Sequence, residues 1–233
     1  MTEDTVVKKT AQKKPPLTWI AIALVSACVI LFSFLWETVL SKKPAEEPAG
    51  YPYQGRSAVQ DEIANLDWVI PAFLPINEFS RPGALLETVE TLVIHYIGNP
   101  DTTAEQNRDY FAGLALSGET HASSNFIIGL DGEIIQCVPV DEIAYASNTR
   151  NNDTLSVELC HPDESGMFTD ATYASAVRLA AWLCASYSLD PQNLIRHYDV
   201  TGKECPKYFV ENEDAWEAFK KDVGDAIRTT DAK

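Results

Sequence analysis

From Pro15 to Trp36 the chain carries no charged residue, and within that stretch Leu17–Trp36 is 20 residues of almost unbroken apolar sequence. At the rise of an α-helix, such a run matches the hydrocarbon thickness of a bilayer, about 30 Å. Trp19 and Trp36 stand near its two ends, where indole rings favour the membrane interface. Lys8, Lys9, Lys13 and Lys14 precede it, and the sequence beyond is acidic apart from Lys42 and Lys43. This pattern predicts one transmembrane anchor over residues 17–38, a cytoplasmic tail over residues 1–16, and the remaining chain on the extracytoplasmic side of the cell membrane.

Two competing readings place the same bulk outside the membrane. A cleaved signal peptide has a shorter apolar core and a small-residue cleavage site, and Glu37-Thr-Val-Leu-Ser-Lys42 offers no convincing one. Val25-Ser-Ala-Cys28 has the look of a lipoprotein site, but eight further apolar or small residues follow Cys28.

Charge divides the chain at the same place. The formal net charge of −16 over 233 residues separates into +1 for residues 1–40 and −17 for the rest. A surface so acidic excludes nucleic-acid phosphate as a natural partner, and it is repelled by other polyanions. Residues 39–60, rich in Pro, Gly and charge, read as a tether. Residues 61–228 then form a single domain long enough for its own core.

Within that domain, Thr91–Ile97 is a short β-branched run ended by Gly98-Asn-Pro100, the signature of a buried strand. The segment 102–116 predicts a helix, with a capping box formed by Thr102 and Glu105. Two apolar runs flank Leu130-Asp-Gly132 as in a hairpin. Residues 155–160 alternate like a strand, and 171–188 and 214–227 read as helices, the last anchored by Trp216 and Phe219. Helices interspersed with strands predict an α/β fold with a mixed central sheet flanked by helices. The order of the strands is not contained in these patterns.

Cys137, Cys160 and Cys184 lie in apolar contexts and read as small buried hydrophobes. Cys205 lies instead in the polar turn Gly202-Lys-Glu-Cys-Pro-Lys207. His95 closes the 91–97 strand and His197 follows the strand-like run 193–196. Two imidazoles and a thiolate around an open position suit a catalytic zinc ion. By spacing alone, satisfied core or surface histidines account for them as well.

The wording of five segments adds to this reading. They are Val93-Ile-His-Tyr-Ile-Gly-Asn-Pro100, Ser123-Ser-Asn-Phe-Ile-Ile-Gly-Leu-Asp-Gly132, Ile135-Gln-Cys-Val-Pro139, Thr154-Leu-Ser-Val-Glu158 and Arg196-His-Tyr-Asp-Val-Thr-Gly-Lys-Glu-Cys-Pro206. Together they closely resemble the zinc-dependent N-acetylmuramoyl-L-alanine amidases of the second amidase family, which includes peptidoglycan recognition proteins. The resemblance implies a zinc ion held by His95, His197 and Cys205, with Glu158 as the acid–base carboxylate and Lys203 stabilising the oxyanion. It implies a peptidoglycan substrate, cut between N-acetylmuramic acid and L-alanine, and gives no protein partner. Many members carry His where this chain has Asn125 and Ala146. If these positions line the cleft, the alternative is a catalytically weak or inactive peptidoglycan-binding module of the same fold. His121 lies near Asn125 in sequence, as a partial substitute or as a plain surface residue. A bitopic scaffold without wall chemistry would bind no metal.

Overall fold

The structure, a computed structural model, describes residues 57–231. The anchor and almost all of the tether lie outside them, and among the described residues no helix is long and apolar enough to cross a membrane. In chain order the elements are α1 (Ala58–Ile63), β1 (Val69–Pro71), β2 (Thr91–Tyr96), α2 (Ala104–Ser117), β3 (Phe126–Ile128), β4 (Ile134–Gln136), β5 (Thr154–Leu159), α3 (Asp170–Tyr187), β6 (Leu194–Arg196), α4 (His197–Thr201), α5 (Lys207–Glu211) and α6 (Glu213–Asp231). Short 3₁₀ turns span Asn148–Arg150 and Pro191–Asn193.

The six strands form one sheet in the order β1-β4-β3-β5-β2-β6. Only the β3–β4 hairpin pairs antiparallel, so the sheet is mixed. At the hairpin turn Gly132 adopts φ +85°, a conformation in which a side chain is strained, and its N–H donates to Gly129 O at 3.1 Å.

Alternation along the strands gives the sheet two different faces. Leu92, Ile94, Phe126, Ile128, Leu155, Val157 and Leu159 belong to a core that also contains Leu179 and Leu183 of α3 and Trp216, Phe219 and Val223 of α6. The residues between them point the other way. There Ile127 and Ile135 join Phe111 and Leu114 of α2 in a second, smaller core, and the row does not stay apolar. Across the strands, Ile135 is the register partner of Ile127, Ile127 of Glu158, and Glu158 of His95. The apolar row thus becomes polar where β5 meets β2, next to β6 at the sheet's edge.

Helix α2 starts at Ala104, two residues later than its sequence suggests, with its N-cap displaced by one. Thr103 is the N-cap and forms the capping box with Gln106, while the Thr102 hydroxyl donates to Asn99 O at 2.7 Å. The tandem threonines followed by Glu105-Gln106 offer two overlapping boxes, and the loop before the helix claims the first hydroxyl.

Cys137, Cys160 and Cys184 are free and buried. Burial pushes each thiol up to about 12, which keeps them protonated small hydrophobes.

Candidate active site

Three adjacent parallel strands deliver the site residues at or just past their carboxyl ends, where ligands of open α/β sheets bind. His95 is the fifth residue of β2 and is only 2% exposed. Glu158 stands opposite it on β5, and the carboxylate Oε1 lies 4.0 Å from His95 Nδ1. His197 follows directly on the last residue of β6 and opens α4.

The turn after α4 brings Cys205 back to the histidines. Gly202, at φ +76°, caps α4 in the left-handed conformation, and the Tyr198 N–H then donates to Cys205 O at 2.8 Å. Arg196 secures the start of this excursion. Its backbone N–H and its guanidinium both bond Asp199, and Nη1 also reaches Phe209 O at 3.0 Å and Glu213 at 2.6 Å.

The result is a buried cluster of His95, His197 and Cys205 whose candidate ligand atoms all lie within 4.8 Å of one another. Cys205 Sγ is 3.9 Å from His95 Nδ1, and the imidazole centroids are 4.7 Å apart. Tetrahedral N and S ligands of a zinc-sized ion stand roughly 3.3–3.8 Å from one another. Contraction by about an ångström at the widest pair would therefore close the set around an ion.

The electrostatics of the two imidazoles agree with a metal-ligating role. Burial, followed by the charges of His197 and Lys203, holds His95 well below the usual imidazole range, and burial and Lys203 lower His197. Both are therefore neutral near pH 7, the form that binds metals. The Cys205 thiol is pushed up to about 12 by burial and by the negative charge of Glu158, opposed by a backbone hydrogen bond from Tyr96 and by Lys203. Glu158 itself is raised to about 8, again by burial, with Lys203 opposing. Lys203 is exposed, yet its charge acts on all four of these groups. The five residues singled out in the sequence are thus brought together. Glu158 Oε2 and His95 Nε2 are buried with no hydrogen-bond partner among the described residues, as expected of a site built for something the protein alone does not supply.

Asn125 does not line the cleft. It is completely buried. Its amide donates to Pro139 O and Glu142 O and accepts from the N–H and hydroxyl of Ser156, which uses its full hydrogen-bonding capacity. It is a tie between β5 and the 139–142 loop, and that loop is fixed in turn by a bidentate pair between Arg81 and Glu142. Ala146 sits half-buried in the 144–148 loop. His121 is exposed, its ring against Phe79 and Tyr145. One contact was not anticipated from the sequence: Asn148 Oδ1 lies 3.0 Å from His197 Nε2. The only available signal was an Asn in a polar turn, a residue type that tolerates the left-handed conformation.

Residues 86–208 match the family model described as N-acetylmuramoyl-L-alanine amidase. The chain belongs to this amidase family. It is 32% identical over 167 residues to the N-acetylmuramoyl-L-alanine amidase CwlL of Bacillus licheniformis, covering 66% of this chain and 46% of that one. With BlyA of Bacillus subtilis strain 168, also named an N-acetylmuramoyl-L-alanine amidase, it shares 29% over 173 residues, 65% of this chain and 46% of the other. The amidase-family chain thus spans about half the length of the curated relatives it matches. Its fold is similar to the catalytic domain of XlyA, with a TM-score of 0.57 at 24% identity over 67% of this chain and 99% of that one. PlyL gives 0.58 at 21% identity, over 66% and 96%.

Proposed function

We propose that this amidase-family protein is a zinc hydrolase that cleaves the amide between the lactyl group of N-acetylmuramic acid and L-alanine in peptidoglycan. The observation that carries the reading is the clustering of His95, His197 and Cys205 beside a buried, partnerless carboxylate oxygen of Glu158. The donor set fits the metal. Two neutral imidazoles and one cysteine sulfur, which gives up its proton on binding the metal, make three borderline-to-soft ligands, the number a catalytic zinc site uses while keeping a position open. Zinc bound there supplies Lewis acidity toward the scissile carbonyl and a more acidic water.

The chain's own groups do the rest. Glu158, held near neutrality by burial, is matched to accept a proton from the attacking water and return it to the departing amine of L-alanine. Lys203 brings a positive charge to the side of the site where the carbonyl oxygen becomes anionic. Arg196, by fixing Asp199, Phe209 and Glu213, keeps the His197–Cys205 excursion in register with β2.

The test is digestion of purified cell-wall sacculi by the purified chain. New L-alanine amino termini should appear with zinc, vanish after exhaustive chelation, and return on adding back zinc. A chain that binds zinc stoichiometrically yet releases none is not an amidase.

The same proposal places the catalytic unit outside the cell membrane, held by the apolar segment at residues 17–38. Support comes from the lysines ahead of that segment and the acidic chain behind it. In intact protoplasts, added protease should destroy the domain and spare only the short N-terminal tail. A domain protected until the cells are lysed would reverse the orientation.

A further inference from the structure

We propose that Asn148 is a positioning residue for the metal centre, fixing the tautomer and ring orientation of His197 so that Nδ1 is the nitrogen left for the ion. The inference rests on the zinc reading above and adds to it a residue outside the ligand set.

The first observation is the bond itself. Asn148 Oδ1 is 3.0 Å from His197 Nε2, and an amide oxygen is only an acceptor. The bond therefore requires the proton on Nε2, which leaves the Nδ1 lone pair as the one a metal can use. A ligating histidine usually hands its second N–H to such an acceptor, and loss of that acceptor typically costs 10–100-fold in metal affinity.

The second observation is that Asn148, although exposed, is not free to wander. It sits at φ +52°, in the left-handed region. The loop is braced on both sides of it. Asn151 Oδ1 accepts the N–H groups of Ala146 at 3.2 Å and Ser147 at 2.6 Å, and the Asn151 N–H donates to Asn148 O at 3.3 Å. Just beyond, Arg150 Nε binds both carboxylate oxygens of Asp153 at 2.8 Å. A residue type that accepts the left-handed conformation is thus held where its side chain meets the imidazole.

The third observation is the contrast between the two histidines. His95 lies inside β2, with β5 on one side and β6 on the other, and is 2% exposed. Packing sets its ring, and its Nε2 has no partner among the described residues. His197 lies past the end of the edge strand, on a helix of 5 residues. It is buried too, 7% exposed, but its Nε2, unlike that of His95, meets a side-chain partner in Asn148, and that hydrogen bond orients the ring.

The test compares Asn148→Ala, Asn148→Gly and Asn148→Asp in the full chain, kept in mild detergent. Zinc affinity is read by competition with a chromogenic chelator, and ligand geometry by the visible absorption of the cobalt(II)-substituted protein. Asn148→Gly keeps the left-handed backbone at no steric cost, so it separates the lost acceptor from a disturbed loop. Asn148→Ala and Asn148→Gly should both bind zinc about 10–100-fold more weakly, with altered cobalt bands; melting of the metal-free protein should be unchanged in Asn148→Gly and slightly lower in Asn148→Ala, whose β-carbon is strained in the left-handed region. Asn148→Asp, which keeps an acceptor oxygen, should stay within a few-fold of wild type. Wild-type affinity and spectrum in the Ala and Gly variants would overturn the inference, as would an Asp variant no better than Ala. A wild-type chain that takes up no zinc defeats the parent reading as well. One that takes up zinc but leaves the wall intact defeats only the amidase reading, and the role of Asn148 is then decided on affinity alone.

Discussion

Glu158→Gln should reduce release of L-alanine termini by roughly 10²–10⁴-fold, the usual contribution of a general acid–base group, while zinc remains bound at one per chain. The amide keeps the shape of the carboxyl group but cannot shuttle a proton. Burial raises the Glu158 carboxyl to about 8, so the native residue resists ionisation where it stands. A neutral amide does not carry that penalty, and the melting temperature of the variant should equal or exceed that of wild type. This combination of lost turnover, retained metal and undiminished stability distinguishes a catalytic carboxylate from a structural one. Turnover close to wild type would remove Glu158 from the mechanism. Cys205→Ser, by contrast, should lose zinc and turnover together.

The largest effect on stability is expected at Phe209. Its ring is 1% exposed and lies 5.2 Å from Phe168, 5.4 Å from Trp216 and 5.3 Å from Phe219, centroid to centroid. Truncation to Ala removes the shared member of three aromatic pairs and leaves a cavity between α5 and α6, at a cost of about 3–5 kcal/mol. For a domain of this size that is a fall of about 6–20 °C in the melting temperature, measurable by circular dichroism. A fall of less than about 2 °C would mean that the helices collapse onto the vacated space. Because the Phe209 carbonyl also accepts from Arg196, and Cys205 lies only four residues earlier, the same variant should also bind zinc more weakly.

What could be read from the sequence follows the range of the forces involved. The 91–96 strand, the hairpin around Gly132 and the long helices α3 and α6 announce themselves through local periodicity and turn chemistry. The cluster of His95, His197 and Cys205 was legible because the motif Arg196–Pro206 carries two of its members and the strand motif a third. Sheet order was not legible, since the pairing of β1 with β4 or of β2 with β6 joins segments far apart in the chain and leaves no local trace. The role of Asn125 was left open for a related reason. Its four hydrogen bonds to Pro139, Glu142 and Ser156 join segments 14 to 31 residues away and leave no local trace. Asn148 depends on the backbone conformation of a turn, which no periodicity encodes.

His95 and Cys205 are separated by 110 residues, and β6, which introduces the His197–Cys205 excursion, is the last strand in the chain and lies at the sheet's edge. The cluster cannot form while only the first half of the domain has been synthesised, however well β2 and β5 have paired. Long-range closures of this kind come late and slowly in folding. The protein therefore has a built-in period of latency: the nascent chain presents no complete His95–His197–Cys205 cluster until the turn that follows β6 has closed.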